Sequence, residues 1–507
     1  MDHSSDPPDA NPAEANCASR APDLTSRREE LLEHQERLLP DPSQVAAFRN
    51  HMTEPPAASA RLNPLIPLSD EVRRRAVSEW EAVPWCPDAF VVPGSQVLGK
   101  SLEFALGCFY IQAKATTLAV EALAPQPGER VLDLAAAPGG KASHIAARMG
   151  NSGLLVVNEP RARRLSSLVG NLDRCGVHNA IFTKTTGTML ARHFHNFFDR
   201  VLLDAPCSGD GILCKDDSML SYWSVADAIN KSREQLGLLR AAFHMLRPGG
   251  RLVYSTCSLS TEENEDVLLA LLRTHRELVE LQIVDGIELT RLPPAIAESY
   301  PPEFDRVARI WPHLHRTEGA FVACIHKTGA TTWHDVSDDV SAAIEEITSE
   351  AAPSTGGHRA DIEERWGFEM PLAADQELAV EGRHLHLRPR DSASVRSLLP
   401  YYVRAGMRVA GIHKGHLHLT HQAIRLWGRS FGKKRVEVTW PQVQSFFKGQ
   451  QVCLDAPVDF KGEALFCFGP WPVCRGLVGA DGLTLEGFVP KSLRMDDIST
   501  LFDYASS

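Results

Sequence analysis

From about residue 101 to residue 327, short apolar runs alternate with longer helical segments, and this alternation constrains the fold more than any other feature of the chain. Six runs predict strands, at residues 130–134, 154–158, 180–183, 200–203, 251–255 and 321–325. Between them, residues 141–149, 161–175, 224–246 and 261–274 predict helices. Strands alternating with helices imply an α/β fold, a parallel sheet covered on both faces. The segment Arg247-Pro248-Gly249-Gly250 reads as a turn that stops one helix before the next strand starts.

The flanks differ in composition. Residues 1–25 are rich in Asp, Pro, Ala, Ser and Asn and have little to bury, which predicts a disordered tail. Residues 26–100 begin with a helical segment and continue as a small α+β domain. The α/β unit spans 101–327. Residues 328–360, rich in Ala, Ser, Thr and Asp, read as a linker, and 361–507 as a separate α+β domain. At roughly 150 residues per domain, 507 residues suit about three such units.

The net charge of −11 argues against a wholly basic, nucleic-acid-coating surface, and leaves room for a local basic groove. Eleven cysteines are scattered along the chain with no Cys-x-x-Cys pair, and in a chain this large and rich in core residues no disulfide framework is expected. The first residues carry no basic start and no apolar core. No stretch approaches the roughly 18 apolar residues of a membrane span. A cytoplasmic protein is expected.

Two features mark one edge of the predicted sheet. The run Val131-Leu132-Asp133-Leu134 leads into Ala135, Ala136, Ala137, Pro138, Gly139, Gly140 and Lys141, a small-residue loop that opens a helix. Such a loop lets backbone approach a ligand closely, and the helix start favours a carboxylate or other anion. Glu159 ends the next strand, about 20 residues beyond the loop, where an acid commonly holds ribose hydroxyls. A dinucleotide is disfavoured because G-x-G-x-x-G is missing. The second feature is a pair of cysteines. Cys207 follows Asp204-Ala205-Pro206 and Cys257 follows Ser255-Thr256, each just past a predicted strand and on the same edge as the loop.

These residues resemble the bacterial 16S rRNA cytosine-5 methyltransferases, within the wider group of RNA cytosine-5 methyltransferases. Phe109-Tyr110-Ile111-Gln112, the 135–141 loop, Asp204 to Gly211, Ser255-Thr256-Cys257-Ser258 with Glu262-Glu263-Asn264-Glu265, and Ile310-Trp311-Pro312-His313 with Gly319-Ala320-Phe321 carry the resemblance across about residues 55–327. Arg61-Leu62-Asn63 is similar to the group's N-terminal Arg-x-Asn element. The resemblance implies a Rossmann-like methyltransferase core that uses S-adenosyl-L-methionine. It implies a small N-terminal RNA-binding domain and a C-terminal RNA-binding, PUA-like α+β domain. It makes Cys257 the nucleophile, Cys207 the helper in release, and Asp204 a contact to the cytosine edge or the cofactor. The cofactor residues are then Ala135 to Lys141, Glu159, Asp204 and Thr186. The implied substrate is 16S rRNA or the small ribosomal subunit, with the protein a monomer. A tRNA substrate, or an assembly factor with impaired catalysis, are the alternatives.

The chemistry explains why such a site needs a thiol. Carbon 5 of cytosine is a poor nucleophile until a thiolate adds to carbon 6 and makes the ring enamine-like. A second thiol or base assists the later loss of the carbon 5 proton and of the thiol.

Some residues depart from the pattern. Thr186 stands where an acid usually holds the adenine side of the cofactor, and Ala142 stands where Thr is usual, which predicts weaker cofactor binding. Arg475-Gly476-Leu477 lacks the basic run expected after it. Basic clusters at 161–164 and 433–435 suit phosphate contacts or a solvated face. His413, His416, His418 and His421 match no zinc signature, so no metal is expected. Trp311 and Trp471 read as core residues.

Overall fold

The computed structural model describes residues 24–331 and 355–502, other than residues 40, 68, 95 and 400. Most of the expected tail and most of the expected linker lie outside the described residues. The helix Gly356–Trp366 begins within the range read as linker.

After a helix at Leu24–Glu36, the N-terminal region forms a four-stranded antiparallel sheet. Its strands are β1 (Ser59–Leu62), β2 (Glu81–Val83), β3 (Cys86–Val91) and β4 (Phe109–Ile111), in the order β2-β3-β1-β4. The next strands are β5 (Arg130–Asp133), β6 (Leu154–Asn158), β7 (Ala180–Thr183), β8 (Phe198–Asp204), β9 (Leu246–Thr256), β10 (Val279–Gln282), β11 (Ala308–Ile310) and β12 (Ala320–Lys327). In the main sheet they run β10-β12-β9-β8-β5-β6-β7, with β11 paired to β12. The five strands from β9 to β7 are parallel, while β12 is antiparallel to β9 and to β10.

The chain moves outward from β5 through β6 to β7, then crosses back to place β8 and β9 on the other side of β5. The order therefore reverses between β5 and β8, and open α/β sheets bind ligands beyond the strand ends at such a point. The residues explain the layers. All five residues of β6 are buried, as expected of a strand covered on both faces. Val131, Val157 and Phe182 pack on one face and Leu132, Val156 and Ile181 on the other, following the two-residue period of a strand. The helix Ala162–Arg174 buries Leu165, Leu168 and Leu172 along one stripe against the first face. The helix Val225–Met245 covers the second, its start capped by the Ser224 hydroxyl, which accepts from the Asp227 amide.

Residues 247–250, expected as a turn between a helix and the next strand, lie within that strand instead. Strand β9 begins at Leu246, which pairs with Phe198, and a register shift between Phe198 and Arg200 absorbs the irregular segment.

After the helix Gly356–Trp366 lie β13 (Gln376–Glu381), β14 (His384–Pro389), β15 (Tyr402–Ala405), β16 (Met407–His413) and β17 (His416–Leu419). They are followed by β18 (Arg435–Glu437), β19 (Gln451–Cys453), β20 (Gly462–Phe468), β21 (Trp471–Val478) and β22 (Thr484–Gly487). Two sheets form, β13-β14-β16-β17 and β18-β20-β21-β22-β19. Strand β15 joins neither: it pairs antiparallel with β7 and extends the main sheet. A shared core also joins the two ends of the chain, with Leu62, Trp80 and Phe90 packed in one cluster with Val436, Phe446 and Trp471. Among the described residues, no helix is long and apolar enough to cross a membrane.

Candidate active site

The loop after β5 is fixed from three sides. The Ala136 amide donates to the Asn158 carbonyl, and the Asn158 side chain donates to the Leu134 and Thr185 carbonyls. The Asn171 amide group donates to the Pro138 carbonyl at 2.9 Å, and Arg164 to the Ala137 carbonyl at 2.7 Å. The Ala137–Pro138 peptide is cis. Gly139 has φ of 111°, a left-handed conformation that favours glycine. Beyond this loop opens a cavity of about 410 Å³, lined by the loop, by Tyr110 and Gln112 of the N-terminal region, and by the tips of β8 and β9.

Three charged groups shape its floor. Lys141 Nζ lies 2.7 Å from Asp204 Oδ2, and Ser255 Oγ donates to Asp204 Oδ1 at 2.9 Å. Asp133 ends β5 and is 1% exposed, with neither carboxylate oxygen hydrogen-bonded. Burial, reinforced by the charge of Asp204, pushes its carboxyl up to about 7. A buried carboxylate facing a cavity, with only the Lys141 charge and the Ala135 backbone favouring its ionised form, calls for a cationic ligand group. An α-ammonium, such as the methionine end of S-adenosylmethionine carries, meets that need.

The two cysteines meet at the same edge. Cys207 Sγ and Cys257 Sγ are 2.8 Å apart, and the Cys257 amide donates to Cys207 Sγ at 3.4 Å. The Cys257 side of the pair lines the cavity; Cys207 faces a neighbouring groove with Ser208 and Tyr222. The hydrogen bond with Cys257, together with burial, pushes the Cys207 thiol well above its ordinary value.

A crossed pair of carboxylates holds the two sulfur-bearing loops. Asp210, three residues after Cys207, accepts from Ser258 Oγ at 2.9 Å, from the Leu259 amide at 2.6 Å and from Ser260 Oγ, all beyond Cys257. Glu263, six residues after Cys257, accepts from the Ser208 amide at 2.9 Å and from Ser208 Oγ at 2.6 Å, beside Cys207. Burial, then the charge of Asp210, pushes the Glu263 carboxyl up to about 7. The N-terminal helix completes this arrangement: Gln35 donates to the Asp210 carbonyl at 3.1 Å, and His34 pairs with Glu262 at 3.3 Å.

Residues 120–326 match the family described as 16S rRNA methyltransferase RsmB/F, and residues 28–114 match the N-terminal domain of 16S rRNA methyltransferase RsmF. A protein of Enterobacter sp. (strain 638) named Ribosomal RNA small subunit methyltransferase F is 32% identical over 94% of this chain and 98% of its own length. A protein of the same name from Shewanella sp. (strain ANA-3) is 31% identical over 89% of this chain and 93% of its own. The chain belongs to the RsmB/F methyltransferase family. A solved methyltransferase homologue from Pyrococcus horikoshii shares its fold, with 29% identity and a TM-score of 0.51 over 61% of this chain and 100% of that one. The Rossmann-like methyltransferase fold and the S-adenosylmethionine cofactor expected from the sequence therefore hold.

The structure brings together most of the residues singled out in the sequence. Ala135, Ala136, Ala137, Pro138, Gly140, Lys141, Asp204 and Cys257 line the cavity. Gly139, Glu159, Thr186 and Cys207 are not among its lining residues. Glu159 is 1% exposed and accepts from the Arg161 amide, while Arg164 bridges it to the loop. The Thr186 hydroxyl caps the helix Gly187–Leu190, accepting from the Met189 amide. Trp311 and Trp471 are buried in the core as expected. His413, His416 and His418 lie on the β16–β17 hairpin, and His421 opens the following helix.

Two roles escaped the sequence reading. Asp133 was visible as an acid inside an apolar strand, yet its lack of partners depends on the whole pocket. The crossed Asp210 and Glu263 contacts had no spacing signature, because each carboxylate serves the other cysteine's loop.

Proposed function

We propose that this protein methylates carbon 5 of a cytosine in 16S rRNA, with Cys257 as the nucleophile and Cys207 as its partner in release. The observation that carries the reading is Cys257 on the wall of the cavity shared with Asp204 and Lys141, with a second sulfur at 2.8 Å. Family membership and relatives named for the small ribosomal subunit support the substrate. The paired sulfurs favour an active enzyme over an assembly factor with impaired catalysis. The same reading takes the protein as a cytoplasmic monomer.

Asp133 and the 135–141 loop would hold S-adenosylmethionine, with Glu159 and Thr186 at the neighbouring strand tips as further contacts. When bound, this cofactor supplies an electrophilic methyl group on a sulfonium. Asp204, steadied by Lys141 and Ser255, presents a carboxylate to the amino edge of the base. Cys257 adds as thiolate to carbon 6, and the electron pair displaced toward carbon 5 makes that atom the nucleophile. Cys207 keeps its proton and donates a hydrogen bond to the Cys257 sulfur, which steadies the thiolate before attack and again as leaving group. After methylation, carbon 5 loses its proton to water, the ring double bond re-forms, and the carbon–sulfur bond breaks with its electron pair returning to Cys257.

Trapping tests this order. Incubated with cofactor and labelled 16S rRNA, Cys207→Ala should accumulate a covalent adduct, seen as a slow band on a denaturing gel. Cys257→Ala and the double variant should show none. An adduct that requires Cys207 and forms without Cys257 would reverse the assignment. Bisulfite sequencing of rRNA and tRNA from a deletion strain checks the substrate, with loss of an rRNA methylcytosine expected.

A further inference from the structure

A second cleft, of about 400 Å³, lies where β14, β16 and β17 meet β21, β22 and the carboxyl end of the helix Ala162–Arg174. Methyl transfer as described makes no use of it. The other end of that helix reaches the cofactor loop through Arg164. At about 1.5 Å per residue, the stretch from Arg164 to Asp173 separates loop from cleft by about 14 Å. The cleft thus sits toward the amino ends of the parallel strands, away from the two sulfurs.

His421 lines this cleft and is 8% exposed, and neither of its ring nitrogens has a hydrogen-bond partner. Burial, with Arg425 and Arg475 nearby, holds its imidazole well below the ordinary value, so the ring is neutral. It offers one N–H donor and one lone pair, both unused. Buried polar groups are rarely left so, and a site with both needs suits a ligand hydroxyl. Arg408 lines the same cleft, is exposed, and has no ion-pair or hydrogen-bond partner for its guanidinium among the described residues. Arg475 stands beside it, over the Phe488 ring at 5.0 Å and donating to Glu463 at 2.7 Å. Glu463 also meets Arg365 at 3.6 Å, so its charge is shared between two arginines. The acid within the lining, Asp173, is neutralised by Arg404 through two contacts of 2.6 and 3.0 Å.

We propose that this cleft binds the RNA substrate at a point remote from the target base, with a backbone phosphate on Arg408 and Arg475 and a ribose 2′-hydroxyl on His421. The inference rests on the RNA substrate proposed above. A phosphate needs a cation free to meet it, which Arg408 supplies, and Arg475, already shared with Glu463, adds a second guanidinium to the same lining. The 2′-hydroxyl both donates and accepts, which matches a neutral imidazole and distinguishes RNA from DNA. A ligand that reaches both cavities must be extended, as a folded ribosomal RNA is.

The test uses the full chain and deproteinised 16S rRNA. Arg408→Ala should raise KM for rRNA at least about fivefold, with a much smaller change in kcat. The slope of log affinity against log salt should become shallower by about one, the signature of one lost phosphate contact. His421→Leu should bring RNA and same-sequence DNA affinities closer together, and His421→Gln, which keeps a donor and an acceptor, should restore the difference. Arg273→Ala, beside β10 at the opposite edge of the sheet, should change neither KM nor slope. The proposal is overturned if Arg408→Ala keeps wild-type KM and salt slope while rRNA is still methylated, in which case the reading of function survives. If the wild-type chain methylates tRNA and not rRNA, the functional reading fails first, and the cleft proposal with it.

Discussion

Asp133 is the residue whose chemistry depends most on its surroundings. Its carboxyl sits at about 7 in the folded chain, against about 3.9 in an unfolded one. A raised acid holds its proton more tightly when folded. The stability this gives is complete below about pH 4 and is lost as pH rises through about 7. Three units correspond to at most about 4 kcal/mol at alkaline pH. Asp133→Asn removes the burden of an unpaired buried charge. The variant should melt above wild type at pH 8.5 in scanning calorimetry, with the gap narrowing toward pH 5. The same substitution should weaken S-adenosylmethionine in isothermal titration, because the orphaned carboxylate is the proposed ammonium partner. Unchanged affinity would remove Asp133 from that role. Identity alone marked Cys257, Cys207 and Asp204 in the sequence, since each stands in a compact motif. The state of Asp133 was not readable there, because Asp204 and the burial that shift it come from elsewhere in the chain.

At the scale of elements, the strand tips β8 and β9 are joined by contacts that tolerate little change. The Gly211 amide donates to the Cys257 carbonyl at 2.9 Å, and the Gly319 amide donates to the Gly211 carbonyl at 2.7 Å. A Cβ on Gly211 would meet the Cys257 carbonyl oxygen at 2.7 Å and the Gly319 oxygen at 2.9 Å, both backbone atoms. Gly211→Ala should therefore displace the Cys257 loop rather than a side chain. A shift of about 1 Å in a reacting group costs roughly a hundredfold in rate, while strain of this kind destabilises by about 1–3 kcal/mol. Tritium transfer to rRNA should fall about a hundredfold, while a cooperative melt persists. Full activity would show that the loop adapts. The parallel strands and their helices were legible because strands buried on both faces leave continuous apolar runs and amphipathic helices leave a 3.6-residue period. The antiparallel strands β10, β11 and β15 were missed. Each has three or four residues, too few to show a period, and their pairing partners are not written locally.

The whole molecule is more tightly joined than its composition suggests. The shift in composition after residue 327 marked a linker and a separate C-terminal unit, but periodicity carries no information on contacts between distant segments. Strand β15 closes the β7 edge of the catalytic sheet. Within it, Arg404 makes a buried bidentate pair with Asp173 on a catalytic-core helix. Further along, Arg425 donates to the Ala105 carbonyl, and Asp375 accepts from Ser152 Oγ and the Gly153 amide. These contacts make the C-terminal region part of the support of the core rather than a tethered module. Arg404→Ala tests this. It leaves Asp173 buried without its partner, and breaking a buried pair from one side costs about 3–5 kcal/mol. If the regions unfold together, calorimetry should show one transition, lowered as a whole, and the apparent stability of the cofactor cavity should fall with it. If they unfold separately, a C-terminal transition should move alone while cofactor protection of the core stays at wild-type strength. The shared cluster of Leu62, Trp80 and Phe90 with Val436, Phe446 and Trp471 favours the first outcome, because no cut between the regions leaves that core covered.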